Sequence, residues 1–209
     1  MHCNVIPAFP SPVIQVMVDD DTSELLEHDE YNVSIEQADN YEHSGSNESV
    51  LEKYPKTKNI LLDAFTTVAE EVLGYKKRNY AITTSWITRT NRGEGSQIHR
   101  HKNSFWSCVY YYQKEYIEGT GQILFENPNT EKFDFYFSHN DMEKINNINS
   151  LVRVIPPQPN LLLIFPSYLH HQILKHNSNV SRSSLAFNIV PLGSWGDGDS
   201  FYNLGKIYK

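Results

Sequence analysis

The chain has 209 residues and a mass of 24.2 kDa, and its content of 39% hydrophobic and 21% charged residues excludes a globally disordered protein. Its longest unbroken run of aliphatic and aromatic residues, residues 161–165, is far too short to cross a bilayer. The first residues carry no basic charge and are interrupted by prolines, so we expect no signal peptide.

Charge is divided unevenly along the chain. Residues 1–52 contain twelve acidic residues and no Lys or Arg. The other 157 residues contain all 18 basic residues and 13 acidic ones, which leaves them a small net positive charge. We expect the acidic segment to form a solvated arm or cap. The remainder suits a small anionic ligand but is too weakly basic to favour nucleic acid.

The N-terminal part of the chain contains one predicted strand and two predicted helices. Residues 13–18 are apolar and predict a strand. Residues 19–30 predict a short acidic helix with Leu25 and Leu26 facing inward. An amphipathic helix follows, because four apolar residues recur at helical spacing: Leu61, Phe65, Val68 and Val72. Gly74 stands where this helix is expected to end.

From residue 80 onward, short segments rich in β-branched and aromatic residues alternate with Pro and Gly. The predicted strands are residues 80–90, 105–112, 122–125, 151–155, 161–165, 171–174 and 183–190. Residues 127–150 are polar and rich in Asn, and we interpret them as an insertion. The pattern predicts a mostly β protein with N-terminal helices, an antiparallel sandwich or jelly roll. We expect one structural domain, in which residues 1–78 pack on a core formed by residues 79–209.

Nine histidines are present, and five of them lie in polar, loop-like surroundings where we expect surface side chains: His2, His28, His43, His139 and His176. His99 and His101 are two residues apart at the start of an aromatic strand, so their side chains leave the same face. Two imidazoles on one face can chelate a metal. An isolated pair of this kind is more often structural, but His170 and His171 at a late strand supply a third donor and favour a metal site.

Arg182 stands at the edge of an apolar strand and is followed by Ser184. A buried guanidinium needs an anionic partner, and its planar fork binds a carboxylate through two hydrogen bonds. Two partners remain open at this point: an acidic side chain of another strand, or the carboxylate of a ligand. The neighbouring sequence contains few acids, which favours the ligand.

Six segments in order along the chain resemble the iron(II)- and 2-oxoglutarate-dependent oxygenases: residues 85–87 (SWI), 99–104 (HRHKNS), 107–111 (SCVYY), 121–128 (GQILFENP), 165–171 (FPSYLHH) and 182–188 (RSSLAFN). The resemblance is to the branch found in bacteria and in phages, notably those of marine cyanobacteria, and it covers about half of the chain. It implies a double-stranded β-helix, a cupin-like jelly roll. It also implies Fe(II) as cofactor and 2-oxoglutarate as co-substrate.

The resemblance assigns the metal ligands to particular residues. His99 matches the first ligand and His171 the distal one, which leaves His170 without a role. The family usually has Asp or Glu where this chain has His101. A site of three histidines is implied, and it would be one charge more positive than usual. Glu126 is the alternative if the third ligand is a carboxylate.

The resemblance also assigns the co-substrate. Arg182 and Ser184 match the Arg-x-Ser that binds the C5 carboxylate of 2-oxoglutarate, and Tyr111 matches a strand tyrosine that hydrogen-bonds the same group. The implied activity couples decarboxylation of 2-oxoglutarate, which yields succinate, to oxidation of an unidentified substrate. Hydroxylation is the expected outcome.

Two other functions remain open. One is a three-histidine dioxygenase of cupin type that does not use 2-oxoglutarate, although such an enzyme has no need for Arg182 and Ser184. The other is a non-catalytic jelly-roll module for binding or structure, such as a phage structural protein. The sequence does not identify the primary substrate, which is a small molecule or a protein side chain. Residues 39–49 and 127–150 are the loops expected to line its pocket.

The remaining expectations concern location and partners. Cys3 and Cys108 are the only cysteines, so there is no disulfide framework and a reducing cytoplasm is favoured, that of the host for a phage protein. We expect no membrane association. The sequence leaves the oligomeric state open.

Overall fold

The computed structural model describes residues 11–30, 32–33, 42–43, 49–129, 139–146 and 149–203. The strands are β1 (Ile14–Met17), β2 (Asn32–Val33), β3 (Glu42–His43), β4 (Tyr80–Thr90), β5 (Trp106–Tyr111), β6 (Ile123–Glu126), β7 (Val152–Ile155), β8 (Leu161–Pro166), β9 (His171–Ile173), β10 (Arg182–Pro191), β11 (Ser194–Trp195) and β12 (Tyr202–Asn203). One α-helix, α1 (Pro55–Thr67), continues as a π-helical turn (Val68–Val72). Short 3₁₀ helices are Ser23–Glu27, Val50–Lys53, His139–Asp141 and Gly198–Ser200.

Two antiparallel sheets form the jelly roll that the strand pattern predicts. A large sheet has the order β1-β8-β5-β10-β4-β3-β2, and a small sheet has the order β7-β6-β9. The early strands β4 and β5 both pair with the late strand β10, which is the central pairing of the large sheet. The seven strands predicted after residue 79 are therefore confirmed within one or two residues at each end. The two-residue strands β2, β3, β11 and β12 are too short to leave a pattern in the sequence.

The two faces of the large sheet bury two separate apolar clusters. Every residue of β5 and of β8 is buried, because both faces of these strands are covered. On the outer face, Trp106 and Tyr110 pack with α1 residues such as Phe65. On the inner face, Val109 and Tyr111 pack against the small sheet. The space between the two sheets is the part of the fold in which the inward-facing polar side chains meet.

The predicted amphipathic helix is present, with one correction. Pro55 opens it at a position where its missing N–H costs nothing, and Leu61, Phe65 and Val68 are buried as expected. Val72 is exposed instead of buried. The helix changes to π-type hydrogen bonding at Val68, and this wider turn rotates the later residues away from the sheet. Gly74 follows with a φ of 69°, as a helix-ending glycine does.

The predicted acidic helix of residues 19–30 is shorter than expected. It forms only the 3₁₀ helix Ser23–Glu27, in which Leu25 is buried and Leu26 is exposed. A 3₁₀ helix has three residues per turn, so two adjacent leucines cannot both face the core. The carboxylate of Glu24 accepts a hydrogen bond from the backbone N–H of Thr57 at 2.8 Å, at the N-terminus of α1.

Across the described ranges, no helix combines the length and the apolar character that a bilayer-spanning segment needs. Most of the predicted loop at residues 39–49, and residues 130–138 of the predicted insertion, lie outside the described residues.

Candidate metal centre and co-substrate pocket

The three histidines predicted as metal ligands meet at one place. His99 and His101 lie in the loop before β5, and His171 is the first residue of β9. The backbones of His99 and His171 form an antiparallel bridge, with N···O distances of 2.9 and 2.8 Å. One ring nitrogen from each of the three side chains lies within 4.8 Å of the other two. This grouping has the size of a metal site with three ligands on one face.

A hydrogen bond to an acceptor holds Nδ1 of each ring. Because a carbonyl or amide oxygen can only accept, each Nδ1 carries a proton, and Nε2 is the ring nitrogen that is left to bind a metal. The acceptors are the backbone oxygen of Gln97 for His99 (2.8 Å), the backbone oxygen of Leu169 for His171 (2.9 Å) and Oδ1 of Asn188 for His101 (2.7 Å).

The environment keeps the buried rings neutral. Burial, and to a smaller extent the neighbouring His99, lowers the pKa of His171 to about 3. Burial also lowers the pKa of His101 below its ordinary value. Metal coordination needs unprotonated imidazole, so these two rings are ready to coordinate at neutral pH without losing a proton. His99 is exposed, which leaves the group accessible from solvent.

A polar network beneath His101 fixes the orientation of its ring. Asn188 accepts from His101 through Oδ1 and donates through Nδ2 to the Thr84 hydroxyl at 2.9 Å. The Ser107 hydroxyl donates to the same Oδ1 at 2.9 Å and lies 3.1 Å from Nδ1 of His101. Asn188 is the last residue of the RSSLAFN segment, and its role there is evident only from the structure. The available signal was its even spacing from Arg182, which places a polar side chain on the inner face of an apolar strand.

The two alternative donors lie apart from this group. His170 precedes β9, and its backbone oxygen accepts from the N–H of Glu126 at 3.0 Å. Glu126 is exposed at the end of β6. Of the described residues, the group that could hold a metal ion contains only the three predicted histidines.

Arg182, Tyr111 and Ser184 form a second buried polar site. Arg182 is 2% exposed, and within the described chain its Nε, Nη1 and Nη2 have no hydrogen-bond partner. The buried Tyr111 hydroxyl also lacks one, and the guanidinium carbon lies 5.1 Å from the centre of the Tyr111 ring. Ser184 is buried on the same face of β10 as Arg182. A buried charge without a partner is costly, so this pocket fits a carboxylate from a bound molecule.

The tyrosine keeps its proton in this pocket. Burial raises the pKa of Tyr111, and the positive charge of Arg182 only partly opposes that rise. The hydroxyl is therefore a hydrogen-bond donor at neutral pH, as an anionic ligand requires.

Gly121 leaves the space that the Arg182 side chain occupies. It has a φ of 61°, and a Cβ atom there would lie 2.7 Å from Cδ of Arg182 and 3.0 Å from Nδ1 of His176. Only a glycine permits this approach without displacing the arginine. Gly121 is the first residue of the GQILFENP segment, and the sequence alone does not indicate its contact with Arg182.

Two histidines expected at the surface are buried, which corrects those predictions. His176 is 1% exposed, and its Nε2 hydrogen-bonds the backbone oxygen of Val180 at 2.6 Å. His28 is also buried, between the Tyr54 hydroxyl and the backbone oxygen of Glu30, each at 2.9 Å. Both stand in polar local sequence, and only packing between distant segments buries them. The side chains of His2, His43 and His139 lie outside the described residues.

Comparison with known proteins places the fold and the family. Residues 84–188, just over half of the chain, match the model of a family described as "Putative 2OG-Fe(II) oxygenase". A comparison with curated protein sequences gave no match.

Solved structures of low sequence identity share the fold. An oxidoreductase of the 2OG-Fe(II) oxygenase family from Burkholderia pseudomallei is 14% identical, with a TM-score of 0.60 over 85% of this chain and 84% of that chain. HygX from Streptomyces hygroscopicus, solved with nickel, 2-oxoglutarate and hygromycin B, is 10% identical, with a TM-score of 0.55 over 87% and 83%. A Pseudomonas putida prolyl-4-hydroxylase is 12% identical, with a TM-score of 0.51 over 85% and 92%.

These structures have the double-stranded β-helix, and the jelly roll described above is the same fold. The match over residues 84–188 includes all six predicted site residues: His99, His101, Tyr111, His171, Arg182 and Ser184. From the family match and the shared fold we conclude that the chain belongs to the Fe(II)- and 2-oxoglutarate-dependent oxygenases.

Proposed function

We propose that this oxygenase binds iron through His99, His101 and His171 and hydroxylates its substrate. The observation that carries the proposal is the presence of two complementary sites in one inter-sheet space. One is a group of three imidazoles whose Nδ1 atoms are hydrogen-bonded and whose Nε2 atoms are left to bind a metal, and the other is a buried guanidinium without a partner among the described residues. The family's iron would bind the three imidazoles, and the carboxylate of its co-substrate 2-oxoglutarate would pair with the guanidinium.

The donor set fits ferrous iron. All three candidate ligands offer a ring nitrogen, and imidazole is a ligand that suits iron. Iron bound with 2-oxoglutarate would supply the activation of oxygen and the oxidation of the substrate, with succinate as the second product. The protein's own part is to hold the three rings in place through Nδ1 and to keep His101 and His171 neutral by burial.

Arg182 is proposed to bind the distal carboxylate of 2-oxoglutarate. Its planar fork offers two parallel N–H donors to a carboxylate, and the Tyr111 hydroxyl offers a third. Ser184 lies on the same strand face and is assigned to the same group. Because the pocket is buried, the ion pair forms away from water, where its electrostatic energy is largest.

The alternative of a cupin-type dioxygenase is less well supported, since that chemistry has no group to pair with Arg182. A non-catalytic module is also less well supported. Three imidazoles, each held by its own hydrogen bond and grouped within ligand distance of one another, favour a bound metal over a purely structural role.

The proposal extends to the substrate, the location and the domain organisation. The primary substrate is a small molecule or a protein side chain, with its pocket walls in residues 39–49 and 127–150. We place the enzyme in the cytoplasm, that of the host for a phage protein, because the buried Cys108 is unpaired and the sequence contains no disulfide framework. Residues 79–209 form the catalytic core in this proposal, and residues 1–78 pack on it.

Two neighbouring histidines provide the test of the metal site. His171→Ala should abolish succinate formation from 2-oxoglutarate in the presence of iron, because it removes a ligand held between both sheets. His170→Ala should retain most of this activity, because His170 makes its contact with Glu126 through the backbone. Succinate is measured over time for each variant, alongside a metal titration. Equal losses in both variants, or full activity in His171→Ala, would contradict the proposed ligand set.

A further inference from the structure

A second cavity of about 360 Å³ lies on the outer face of the large sheet. It forms where the loop after the π-helical turn passes the start of β4, the start of β5, the end of β10 and the strand β11. The residues that matter for its chemistry are Tyr75, Lys76, Arg78, Tyr80, Trp106 and Trp195. Its volume is within the range of small-molecule pockets.

The cavity is on the opposite face of the sheet from the histidines. Trp106 belongs to the outer apolar cluster, whereas the next residue, Ser107, points inward and contacts His101. Successive residues of a strand point to opposite faces, so the backbone of β5 separates the two sites. A molecule bound in the outer cavity is therefore neither the co-substrate nor the substrate at the metal.

Two pairs of aromatic rings line the cavity. The centres of Tyr75 and Trp106 are 6.4 Å apart, and those of Phe105 and Trp195 are 5.5 Å apart at an angle of 88°. Phe105 is exposed, so part of this wall faces solvent. Ring faces and edges arranged in this way favour a planar, apolar group between them.

Two buried polar atoms in the cavity wall lack partners. Tyr80 is 7% exposed, and its hydroxyl has no hydrogen-bond partner within the described segments. The Nε atom of Arg78 is likewise buried and unpartnered. Both are donors, and leaving buried donors unpaired costs free energy that an acceptor on a ligand would recover. Lys76 adds a second positive charge to the wall.

The charge balance of the cavity favours an anion. Of the described residues that line the cavity, two are cations, Lys76 and Arg78, and none is acidic. Glu70 is outside the lining, and its buried Oε1 also lacks a hydrogen-bond partner within the described chain. Burial raises the pKa of Tyr80 and the charge of Arg78 lowers it in part, with smaller rises from Tyr75 and Glu70. A cationic ligand would meet net repulsion here, although the aromatic rings by themselves would accept one.

We propose that this cavity binds a small planar anion, an aromatic ring that carries a carboxylate. The ring lies between the aromatic pairs, and the carboxylate accepts from Arg78 and from the Tyr80 hydroxyl. This site is independent of the metal and of 2-oxoglutarate.

The probes for the test are 2-naphthoate and its uncharged analogue 2-naphthamide, titrated calorimetrically into the full-length, metal-free protein. We expect 2-naphthoate to bind at least about tenfold more tightly, because only the carboxylate uses the charge-assisted donors. Added 2-oxoglutarate should not displace it. The measurement needs no iron, so its failure would leave the proposed oxygenase function untouched.

Substitutions of cavity residues test whether 2-naphthoate binds in the cavity. Arg78→Ala should weaken 2-naphthoate binding at least about tenfold, and Tyr80→Phe, which removes one hydroxyl, about threefold to tenfold. Glu70→Gln should strengthen it, because the opposing charge is lost. Lys77→Ala is the matched control and should leave binding unchanged, since Lys77 carries the same charge in the same loop but does not line the cavity. A cooperative thermal unfolding transition in each variant shows that the variant is folded. Arg78→Lys keeps the positive charge and serves as the conservative comparison for Arg78→Ala.

Three results would overturn the proposal. The first is equal binding of the acid and the amide, and the second is equal binding by wild type and Arg78→Ala. The third is displacement of 2-naphthoate by 2-oxoglutarate, which would place the probe beside Arg182 instead.

Discussion

Arg182 is buried, and its guanidinium has no hydrogen-bond partner among the described residues; we propose that it binds a carboxylate. Removing one partner of a buried charge pair costs about 2–5 kcal/mol, which is roughly 30-fold or more in affinity. We expect Arg182→Ala to raise the 2-oxoglutarate concentration needed for half-maximal succinate formation at least that far. Metal affinity should remain nearly unchanged, because the guanidinium belongs to a separate site.

Two further variants separate charge from geometry at this site. Arg182→Lys should recover only part of the co-substrate affinity, since an ammonium cannot form the two parallel hydrogen bonds of the guanidinium fork. Tyr111→Phe should cost less than Arg182→Ala, about 1 kcal/mol for one neutral donor. An unchanged requirement for 2-oxoglutarate in Arg182→Ala would instead favour the cupin-type alternative.

In the proposed ligand set His101 replaces the usual carboxylate, and Asn188 accepts a hydrogen bond from its ring. We expect His101→Ala to weaken metal binding strongly and His101→Asp to retain part of it. Asn188→Ala should reduce metal affinity by about 10- to 100-fold, because residues that hydrogen-bond a ligating imidazole typically have effects of this size. Metal titrations monitored by calorimetry provide the measurement. Wild-type affinity in His101→Ala would show that the third ligand lies elsewhere.

At the scale of elements, the turn before β6 limits the position of the Arg182 side chain through the close approach of Gly121. Gly121→Ala should raise the 2-oxoglutarate requirement, because the new Cβ would lie 2.7 Å from Cδ of Arg182. It should also destabilise the fold by about 1–3 kcal/mol through backbone strain at positive φ. The readouts are succinate formation against 2-oxoglutarate concentration and the free energy of unfolding.

Gly119 provides the matched control for this prediction. It has a φ of 75°, but nothing lies within 4 Å of the position of its Cβ. Gly119→Ala should therefore cost similar stability while leaving the co-substrate requirement unchanged. If both variants raised that requirement equally, general strain in the turn would explain the effect, and contact with Arg182 would not.

At the scale of the whole molecule, the proposed metal site joins side chains that are held by both sheets. His171 lies in the small sheet, while His101 is anchored through Asn188 to β10 of the large sheet. A metal bound to all three rings crosslinks the two sheets, and its binding energy adds to the stability of the folded state.

We expect nickel, a redox-stable substitute for iron, to raise the unfolding temperature of the metal-free protein. At 100 times the dissociation constant the added stability is about 2.7 kcal/mol, which corresponds to roughly 5–10 °C for a chain of this size. His171→Ala should lose this shift, and His170→Ala should keep it. An equal shift in both variants would mean that nickel stabilises the protein from another site.

The sequence by itself determined the periodic features of this protein. Seven strands and the buried face of α1 follow from alternations and helical spacings that local residues carry. Two further signals were local: the two-residue spacing of His99 and His101, and the adjacent pair His170 and His171 at a late strand. Together with the resemblance, they were sufficient to predict the residues that meet as a candidate metal centre.

Tertiary structure alone decided what depends on strand order and register. Asn188 and His101 are 87 positions apart in the chain and meet only because β10 pairs with β5. His176, in polar local sequence, is buried because distant segments fold over it, and Val72 is exposed because the helix widens at Val68. The outer cavity joins side chains from the π-helical loop, the start of β5 and β11. No local sequence pattern predicts these contacts, because they depend on how distant strands and loops pack together, even though each element is specified locally.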